Sequence, residues 1–515
     1  VTSGGINVRN IISILILALA VSIMFMSSKT LADEIPTDCT ELTQQINIPL
    51  EKEWTAKFNM QLKPETINSE NIKVYKDGDS NHLAVSVRPG KNSDEAIIGS
   101  PVGGYVPGRT YYLIISENVQ AVSGKTLSKP VKMKFVVNNT FENSSKYSDL
   151  PNITSCTYGS VPFVQDQKPD FNLCANGGQV QYRVFIHDYA YNYDNYSEIT
   201  SGYTIATDGS SAFKVTTNSV LGTSPDGKKY KLLVFVKRAN TAGSHSTNIS
   251  GVGDIDFDNY YVDYFRVVPS KTTISQDSVK SYSYTLENII DKQAKVSPKT
   301  DEGDGAEMWV TPNSNMLKYY LNPDNFMDDY GKYMFLRLDS YIDIPVDSIN
   351  NMLKNAGVLQ GMGQTFLDAA KLYDINPAYL VSHAIHETGW GKSELSKRLA
   401  ADNKTTVYNF FGIKAVDNNV LEGGSSYAFS NGWFTPEAAI MGGAQYISTK
   451  YIHNASTNKY TLYNMRWNPN IPANAPASLQ YATDIAWQFK ILDCMSILME
   501  GTNSQLKFEV PAYLN

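Results

Sequence analysis

Cysteine is scarce in this chain, with four among 515 residues. A fold that depends on a disulfide framework is therefore not expected. Cys156 and Cys174 lie close enough in sequence to pair, while Cys39 and Cys494 lie far apart. Cys494 falls in an apolar helical run and reads as a buried free thiol. Cys39 follows Pro36-Thr37-Asp38, too far past the N-terminal apolar run for a lipoprotein cysteine. Histidine is also rare, with six residues. His383 and His386 stand three apart, but no third ligand is evident and His-Glu-x-x-His is absent, so no metal is expected. Gly-x-Ser-x-Gly is missing and no cysteine has a reactive context, which excludes the usual serine and cysteine hydrolases. Charged residues make up 18% of the chain and the net charge is −7. That balance argues against nucleic acid and against a simple electrostatic grip on anionic polymers.

Residues 11–26 are almost wholly apolar, with Arg9 before them and Thr30-Leu31-Ala32 as a small-residue processing site. Residues 1–32 thus read as a signal peptide, with an uncleaved membrane anchor as the alternative. A secreted product follows, membrane-bound only if the segment is kept. The length implies about three or four domains, and 42% hydrophobic residues can fill several cores.

Residues 34–140 read as an all-β sandwich. Trp54–Phe58, Leu83–Val87 and Lys132–Val137 alternate apolar and polar, and Pro107-Gly108 is a turn feeding a strand. Asn138–Asn152 is a polar linker by composition. A second β unit spans 153–269, with Val180–Ile186 alternating and Lys231–Val236 more deeply buried. Between them, Asp188–Tyr196 carries four tyrosines that read as a strand edge and loop or as a sugar-stacking surface. Asp254-Ile255-Asp256-Phe257-Asp258 lacks the glycine and terminal Glu of a calcium loop. The polar stretch 270–305 reads as a linker, and 306–515 as the last domain. Helical periodicity there covers 346–359, 361–372, 377–388, 436–451 and 479–499, while 405–435 reads as hairpin material.

The stretch Asn376–Ser393 organises that last domain. Asn376 is a good N-cap and Pro377 suits the first turn. Leu380, Val381, Ala384, Ile385 and Thr388 form an apolar stripe, and Gly389 and Gly391 stop the helix. Glu387 then lies in the last turn, where the dipole disfavours a charged carboxylate. Apolar surroundings would raise its pKa and let it serve as a general acid. A surface Glu at a helix end is the plainer alternative.

Three separated motifs bear on that choice: Glu387-Thr388-Gly389-x-Gly391-x-Ser393, Tyr408-Asn409-Phe410-Phe411-Gly412-Ile413 and Tyr481-Ala482-Thr483-Asp484. In this order they resemble the signatures of the family-73 glycoside hydrolases, bacterial peptidoglycan N-acetylglucosaminidases of the autolysin type. The likeness covers roughly residues 320–500. Ahead of it, Ile48-Pro49-Leu50 with Trp54, Asn71–Val74 and Pro107–Tyr111 resemble bacterial Ig-like repeats of surface proteins. The resemblance implies two Ig-like sandwiches followed by an α+β, lysozyme-like catalytic domain. It implies cleavage of the β-1,4 bond after N-acetylglucosamine in peptidoglycan glycan strands, without metal or organic cofactor. The β units would serve as spacers or contact other wall polymers.

Glycoside hydrolysis needs a proton donor and a group to stabilise or trap the oxocarbenium-like centre. Glu387 is the acid. Glu422, in the turn-rich Asn418–Gly424, is the candidate partner, with Asp417 in reserve and a solvated hairpin tip as the competing role. The resemblance places Tyr481 facing the catalytic centre, where its hydroxyl would orient the N-acetyl group or a water. Some relatives are proposed to use the N-acetyl group itself as nucleophile. Phe411, Tyr427, Trp433 and Trp467 are candidates to line a sugar groove, although Trp467 equally suits the core. Two alternatives stay open: a muramidase or lytic transglycosylase of the same fold, and a non-catalytic wall-binding adhesin.

Overall fold

A computed structural model of the chain describes residues 8–10, 35–36, 38–79, 81–137, 141, 144–147, 149–188, 196–302, 309–415, 420–472, 475–500, 502 and 505–514. Residues 11–32 of the signal-peptide reading lie outside the described residues, as do Asp417 and the tyrosines between Asp188 and Tyr196.

In the first β unit, Trp54, Ala56 and Phe58 are buried while Thr55 and Lys57 are half-exposed, so the strand turns one apolar face inward. It pairs antiparallel with Glu95–Pro101, which pairs with Val85–Pro89. A second sheet runs Thr40–Ile48, Val131–Val137, Thr110–Ile115, Ile72–Lys76, its first pairing parallel and the rest antiparallel. The sheets meet across Trp54 and Phe135, with ring centres 4.9 Å apart. This is a two-sheet sandwich.

The second unit has a larger sheet centred on Gln179–Asp188, Lys228–Arg238 and Asn259–Val268. Its smaller sheet is Ile153–Tyr158, Asp170–Ala175 and Phe213–Thr216. Leu232, Val234 and Val236 point into this sandwich, whereas Leu233 and Phe235 alternate onto the opposite face and are equally buried. A strand covered on both sides loses its polar alternation, which explains the apolar run at Lys231–Val236. The larger sheet is therefore the middle layer of the molecule. The first unit docks on the second through Arg109, whose Nε donates to the Ser246 carbonyl at 2.6 Å, and through Thr247 Oγ1, which donates to the Pro107 carbonyl at 2.7 Å. The described part of Asn138–Asn152 is a strap on the middle sheet. Phe141 is buried there and Ser145 Oγ donates to Asn259 Oδ1 at 2.8 Å.

Cys156 and Cys174 do not pair. Cys156 stands opposite Leu173 and Cys174 opposite Ser155. Successive strand residues point to opposite faces, so Cys156 enters the core while Cys174 faces away. Both are free, as are Cys39 and the buried Cys494.

The stretch 270–305, read as a linker, holds a strand, Val279–Thr285, and helix α1 (Leu286–Ala294). The strand pairs in parallel with Val510–Leu514, from the far end of the C-terminal unit. Helix α1 buries Lys292 and Gln293, whose side chains donate to the carbonyls of Pro472 at 2.7 Å and Trp467 at 2.9 Å. Polar residues buried in this way look like surface to a hydropathy pattern. The unit continues with α2 (Ser314–Leu321), α3 (Val346–Met352), α4 (Gly363–Leu372), α5 (Pro377–Thr388), α6 (Val420–Ser430), α7 (Pro436–Ile447), α8 (Leu462–Trp467), α9 (Trp487–Lys490) and α10 (Leu492–Met499). The helix expected over 479–499 begins only at Trp487.

The hairpin expected over 405–435 is reduced to Thr406–Val407 paired with Arg398–Leu399, and α6 follows. Gly424, Ser425 and Ala428 share the buried face of α6. Those small residues carry little hydropathy, so the helix shows no apolar stripe. Glu422 lies in the first turn of α6, where the dipole favours an acid. The result is an α+β unit behind two β units.

Arg266, from the middle sheet, inserts into the C-terminal unit. Its guanidinium donates to Asp328 and packs 5.3 and 5.1 Å from the ring centres of Phe326 and Phe489. Both charged side chains are 1% exposed. Asp328→Ala would leave a buried guanidinium without its counter-charge, at a cost of about 3–5 kcal/mol. Urea unfolding of this variant should show that loss. A stability unchanged from wild type would mean that the two units do not dock through this pair.

Candidate active site

Helix α5 forms as its sequence dictates. The Asn376 side chain accepts from Ala378 N at 2.9 Å and Tyr379 N at 3.3 Å, and Pro377 opens the first turn. Gly389 ends the helix in the left-handed region at φ 52°. Trp390 and Gly391 follow at φ 63° and 67°. Thr388 Oγ1 accepts from Gly391 N at 2.8 Å and holds this reversal against the helix. The last turn therefore presents Glu387 at the mouth of a buried helix, with its side chain 22% exposed.

Two side-chain nitrogens lie against the same oxygen of Glu387. Trp487 Nε1 donates to Oε1 at 3.0 Å. His383 Nε2 lies 3.5 Å from Oε1. The other oxygen, Oε2, faces Gly412, where a Cβ would stand 2.7 Å away on a backbone at φ 60°. Only glycine fits that approach. Burial pushes the carboxyl toward its neutral form. The His383 contact, the Trp487 hydrogen bond and the nearby His386 outweigh it, and Glu387 titrates below the ordinary Glu range. This overturns the raised pKa expected from the sequence. The opposing Trp487 donor comes from α9, 100 residues further on, and no pattern local to α5 reveals it. His386 is held below the ordinary His range, chiefly by burial.

The loop under Oε2 is tied from several sides. Asn409, 1% exposed, spends its amide on the Ile413 carbonyl at 2.9 Å and accepts from Ile413 N at 3.2 Å. The Tyr481 hydroxyl donates to the Phe411 carbonyl at 2.6 Å. The Tyr481 ring stacks on Trp487 at 4.9 Å and meets His383 at 4.5 Å. Asn409 had an Asx-turn signal in sequence, just ahead of an aromatic pair and glycine, that marks its structural role. Glu422 is exposed at the start of α6, one residue before Gly423, whose Cβ would lie 2.6 Å from the Lys414 carbonyl. Lys414 is two residues past Gly412, and two residues span at most about 7 Å. Glu422 thus lies on the segment packed beside the Gly412 loop, outside the contacts of Glu387.

The expected sugar platforms divide. Trp467 is 1% exposed, with the Arg466 guanidinium 4.0 Å over its ring, and is core. Phe411 and Trp433 are 0% and 4% exposed. Both seat in a notch of α7 made by Gly442 and Gly443, where a Cβ would come within 2.0 Å of the Trp433 ring and 2.2 Å of the Phe411 ring. They close the core and offer no free face to a sugar. Tyr427 remains half-buried at the surface. It begins a row of rings that sequence reading missed: Tyr427 to Tyr446 at 5.7 Å, Tyr446 to Tyr451 at 6.3 Å, Tyr451 to Tyr481 at 5.0 Å, Tyr481 to Trp487. The four tyrosines are half-buried, and the row ends at Glu387. The signal lies in Ser448–Ile452, a π-helical turn after α7 that sets Tyr446 and Tyr451 five apart on one side.

Residues 363–499 match the family model described as Glucosaminidase, mannosyl-glycoprotein endo-beta-N-acetylglucosaminidase. The chain is 43% identical over 208 residues to a beta-N-acetylglucosaminidase of Bacillus subtilis (strain 168), covering 40% of this chain and 23% of that protein. It is 39% identical over 211 residues to a bifunctional autolysin of Staphylococcus aureus (strain MSSA476), covering 39% and 16%. The chain thus spans less than a quarter of the length of either relative. Among solved structures, S. aureus autolysin E in complex with the muropeptide NAM-L-Ala-D-iGlu shares 33% identity at a TM-score of 0.38, over 47% of this chain and 100% of that one.

Gly443→Ala tests the seating of Phe411. Ala gains about 1 kcal/mol of helix propensity over Gly. A methyl 2.2 Å from the ring overpacks the core, at a cost of about 1–3 kcal/mol or more. A net loss in urea unfolding is expected. A stabilised variant would show that Phe411 lies elsewhere and is open to substrate.

Proposed function

Because residues 363–499 of this chain carry a domain of the glucosaminidase family, we propose that the protein is a secreted, cell-wall-associated peptidoglycan hydrolase. It cleaves the β-1,4 bond between N-acetylglucosamine and N-acetylmuramic acid, as an endo-β-N-acetylglucosaminidase in cell separation or wall turnover. One observation carries the reading. A carboxyl group held by fixed donors ends a row of half-buried tyrosines, which suits an acid at the end of a glycan groove.

In this reading Tyr427, Tyr446 and Tyr451 present apolar ring faces to successive pyranoses. The glycosidic oxygen arrives over Gly412, where the missing side chain leaves Oε2 accessible. Oε1 is taken up by its N–H donors, so the proton of the acid resides on Oε2 and passes to the leaving oxygen. Glu387 is anionic in the free protein, because its carboxyl titrates low. A bound glycan covers the exposed fifth of the side chain and removes its remaining hydration, which raises the carboxyl and loads the proton.

Tyr481 stabilises the loop through the Phe411 carbonyl, and its oxygen lone pairs remain available to a substrate N–H or a water. Glu422, beside the Gly412 loop, is a candidate partner carboxylate. The substrate's own N-acetyl group is the second candidate. The domain boundaries at 34–140 and 153–269, a C-terminal unit that takes in Val279–Thr285 and α1 ahead of 306–515, the cleaved signal segment within 1–32 and wall-polymer binding by the β units belong to this proposal.

The test is digestion of purified peptidoglycan by residues 33–515, followed by borohydride reduction and mass analysis. Reduced N-acetylglucosamine ends are expected. Glu387→Gln should lower their yield by about 10²–10⁴-fold. Reduced muramic acid or 1,6-anhydro ends would replace the reading with a muramidase or a transglycosylase. No products from a folded protein would favour the adhesin.

A second expectation concerns pH. The acid must be protonated to act, so activity falls as pH rises through its pKa. The limb of kcat/KM reports free protein and that of kcat the complex. On a soluble glycan fragment, the alkaline limb of kcat should lie at higher pH than that of kcat/KM. Coincident limbs would count against proton loading by desolvation.

A further inference from the structure

His383 is fully buried, yet its Nε2 lies 3.5 Å from the Glu387 carboxyl. Its ring sits inside a cage of Tyr379, Phe411, Tyr481 and Trp487, with centre distances of 5.3, 5.5, 4.5 and 5.3 Å. Its Nδ1 lies 2.9 Å from the Tyr379 hydroxyl, and Tyr379 is itself 0% exposed. Its Nε2 has no close hydrogen-bond partner and points along the helix toward Oε1, four residues on.

Proton accounting selects one arrangement. A buried tyrosine O–H needs an acceptor, and Nδ1 is the acceptor within reach. If Tyr379 donates to Nδ1, the neutral ring carries its proton on Nε2, facing the carboxylate. The opposite tautomer would leave the Tyr379 proton without an acceptor and set an Nε2 lone pair against an anionic oxygen. The first arrangement satisfies the Tyr379 donor and turns an N–H toward the carboxylate; the second satisfies only Nδ1–H, on the Tyr379 oxygen. At 3.5 Å the contact is long for a hydrogen bond. Catalytic contacts of this kind shorten when substrate is bound.

We propose that His383 is a positioning residue for Glu387: held by Tyr379 as the Nε2–H tautomer, it joins Trp487 in occupying Oε1 and so assigns the catalytic proton to Oε2. The proposal rests on Glu387 being the acid of the proposed reaction. It adds to that reading a residue that never touches substrate yet determines which oxygen of the acid does. His386 and Tyr379 on α5, Tyr481 and Asp484 ahead of α9, Lys490 on α9, Tyr446 on α7 and Tyr451 in the π-helical turn after it are the other titratable groups around the pair.

Two substitutions separate positioning from packing. His383→Gln can return an N–H to the place of Nε2. His383→Asn reaches only as far as Nδ1 and removes the donor from Glu387. Because Trp487 donates to Glu387, its indole emission follows ionisation of the carboxyl, isolated as the difference from the same protein with Trp487→Phe. The Asn variant should move this titration, and the alkaline limb of kcat/KM, to higher pH, because a contact that favours the anion is gone while burial remains. The Gln variant should stay near wild type.

In the unsubstituted chain, ¹⁵N shifts of labelled histidine should show Nε2 protonated and Nδ1 bare for His383. Equal behaviour of Asn, Gln and wild type would overturn the proposal, as would Gln moving as far as Asn, or an Nδ1-protonated ring. The emission and NMR readouts need no turnover. A protein without glycosidase activity whose titration still moves would therefore refute the proposed reaction and leave the His383–Glu387 pair standing.

Discussion

The Trp487 N–H placed on Oε1 of Glu387 is the contact on which the C-terminal unit turns. It joins the last turn of α5 to α9, elements separated by 100 residues. A carboxyl at a helix end rotates freely unless something outside the helix holds it. Here the indole holds one oxygen, and the gap at Gly412 leaves the other accessible. Everything nearby serves to keep those two partners in place. Asn409 folds the loop that carries Gly412, Tyr481 fastens that loop to the stack on Trp487, and the Gly389–Gly391 reversal keeps the helix from running past its acid. A buried polar network of this kind is rigid only while each member is satisfied.

That constraint reaches beyond the C-terminal unit. Phe489 lies two residues past Trp487 and packs against Arg266, which belongs to the middle sheet of the second β unit. Lys490, the next residue, bridges Asp301 and Asp484, both at 2.7 Å. Helix α9 is four residues long, too short to hold its own geometry. It is fixed instead by a guanidinium on one side and the tyrosine stack on the other. The second β unit is thus part of the scaffold that holds the Trp487 donor against Glu387. The strand Val279–Thr285 and helix α1 extend that scaffold, because they seal the unit against its C-terminal strand.

The aromatic side chains illustrate why residue type alone is a poor guide to a sugar site. Phe411 and Trp433 sit in the motifs that drew attention to the region, but the paired glycines of α7 take them into the core. Burial of so large a ring contributes about 2–3 kcal/mol, and a ring spent in that way presents nothing to a ligand. The tyrosines behave differently because each hydroxyl prefers water or a hydrogen-bond partner. Half-burial suits them, and a π-helical turn in the chain after α7 is enough to line two of them up with the acid.

Some of this protein was determined by sequence alone. The boundaries of α5, its Asn376 cap and its left-handed stop are local properties, set by side chains within a turn of the residues they affect. The β units follow from period-two alternation in the same way, and the doubly buried strand at Lys231–Val236 from its lack of it. Interactions between distant segments were decided elsewhere. The low titration of Glu387 depends on side chains that converge from two helices. The separation of Cys156 from Cys174 depends on strand register. Helices α1 and α6 depend on polar or small residues finding buried partners. Hydrogen bonds, close packing and dielectric screening act through space over a few ångströms, so the residues around Glu387 become neighbours only when the chain has folded.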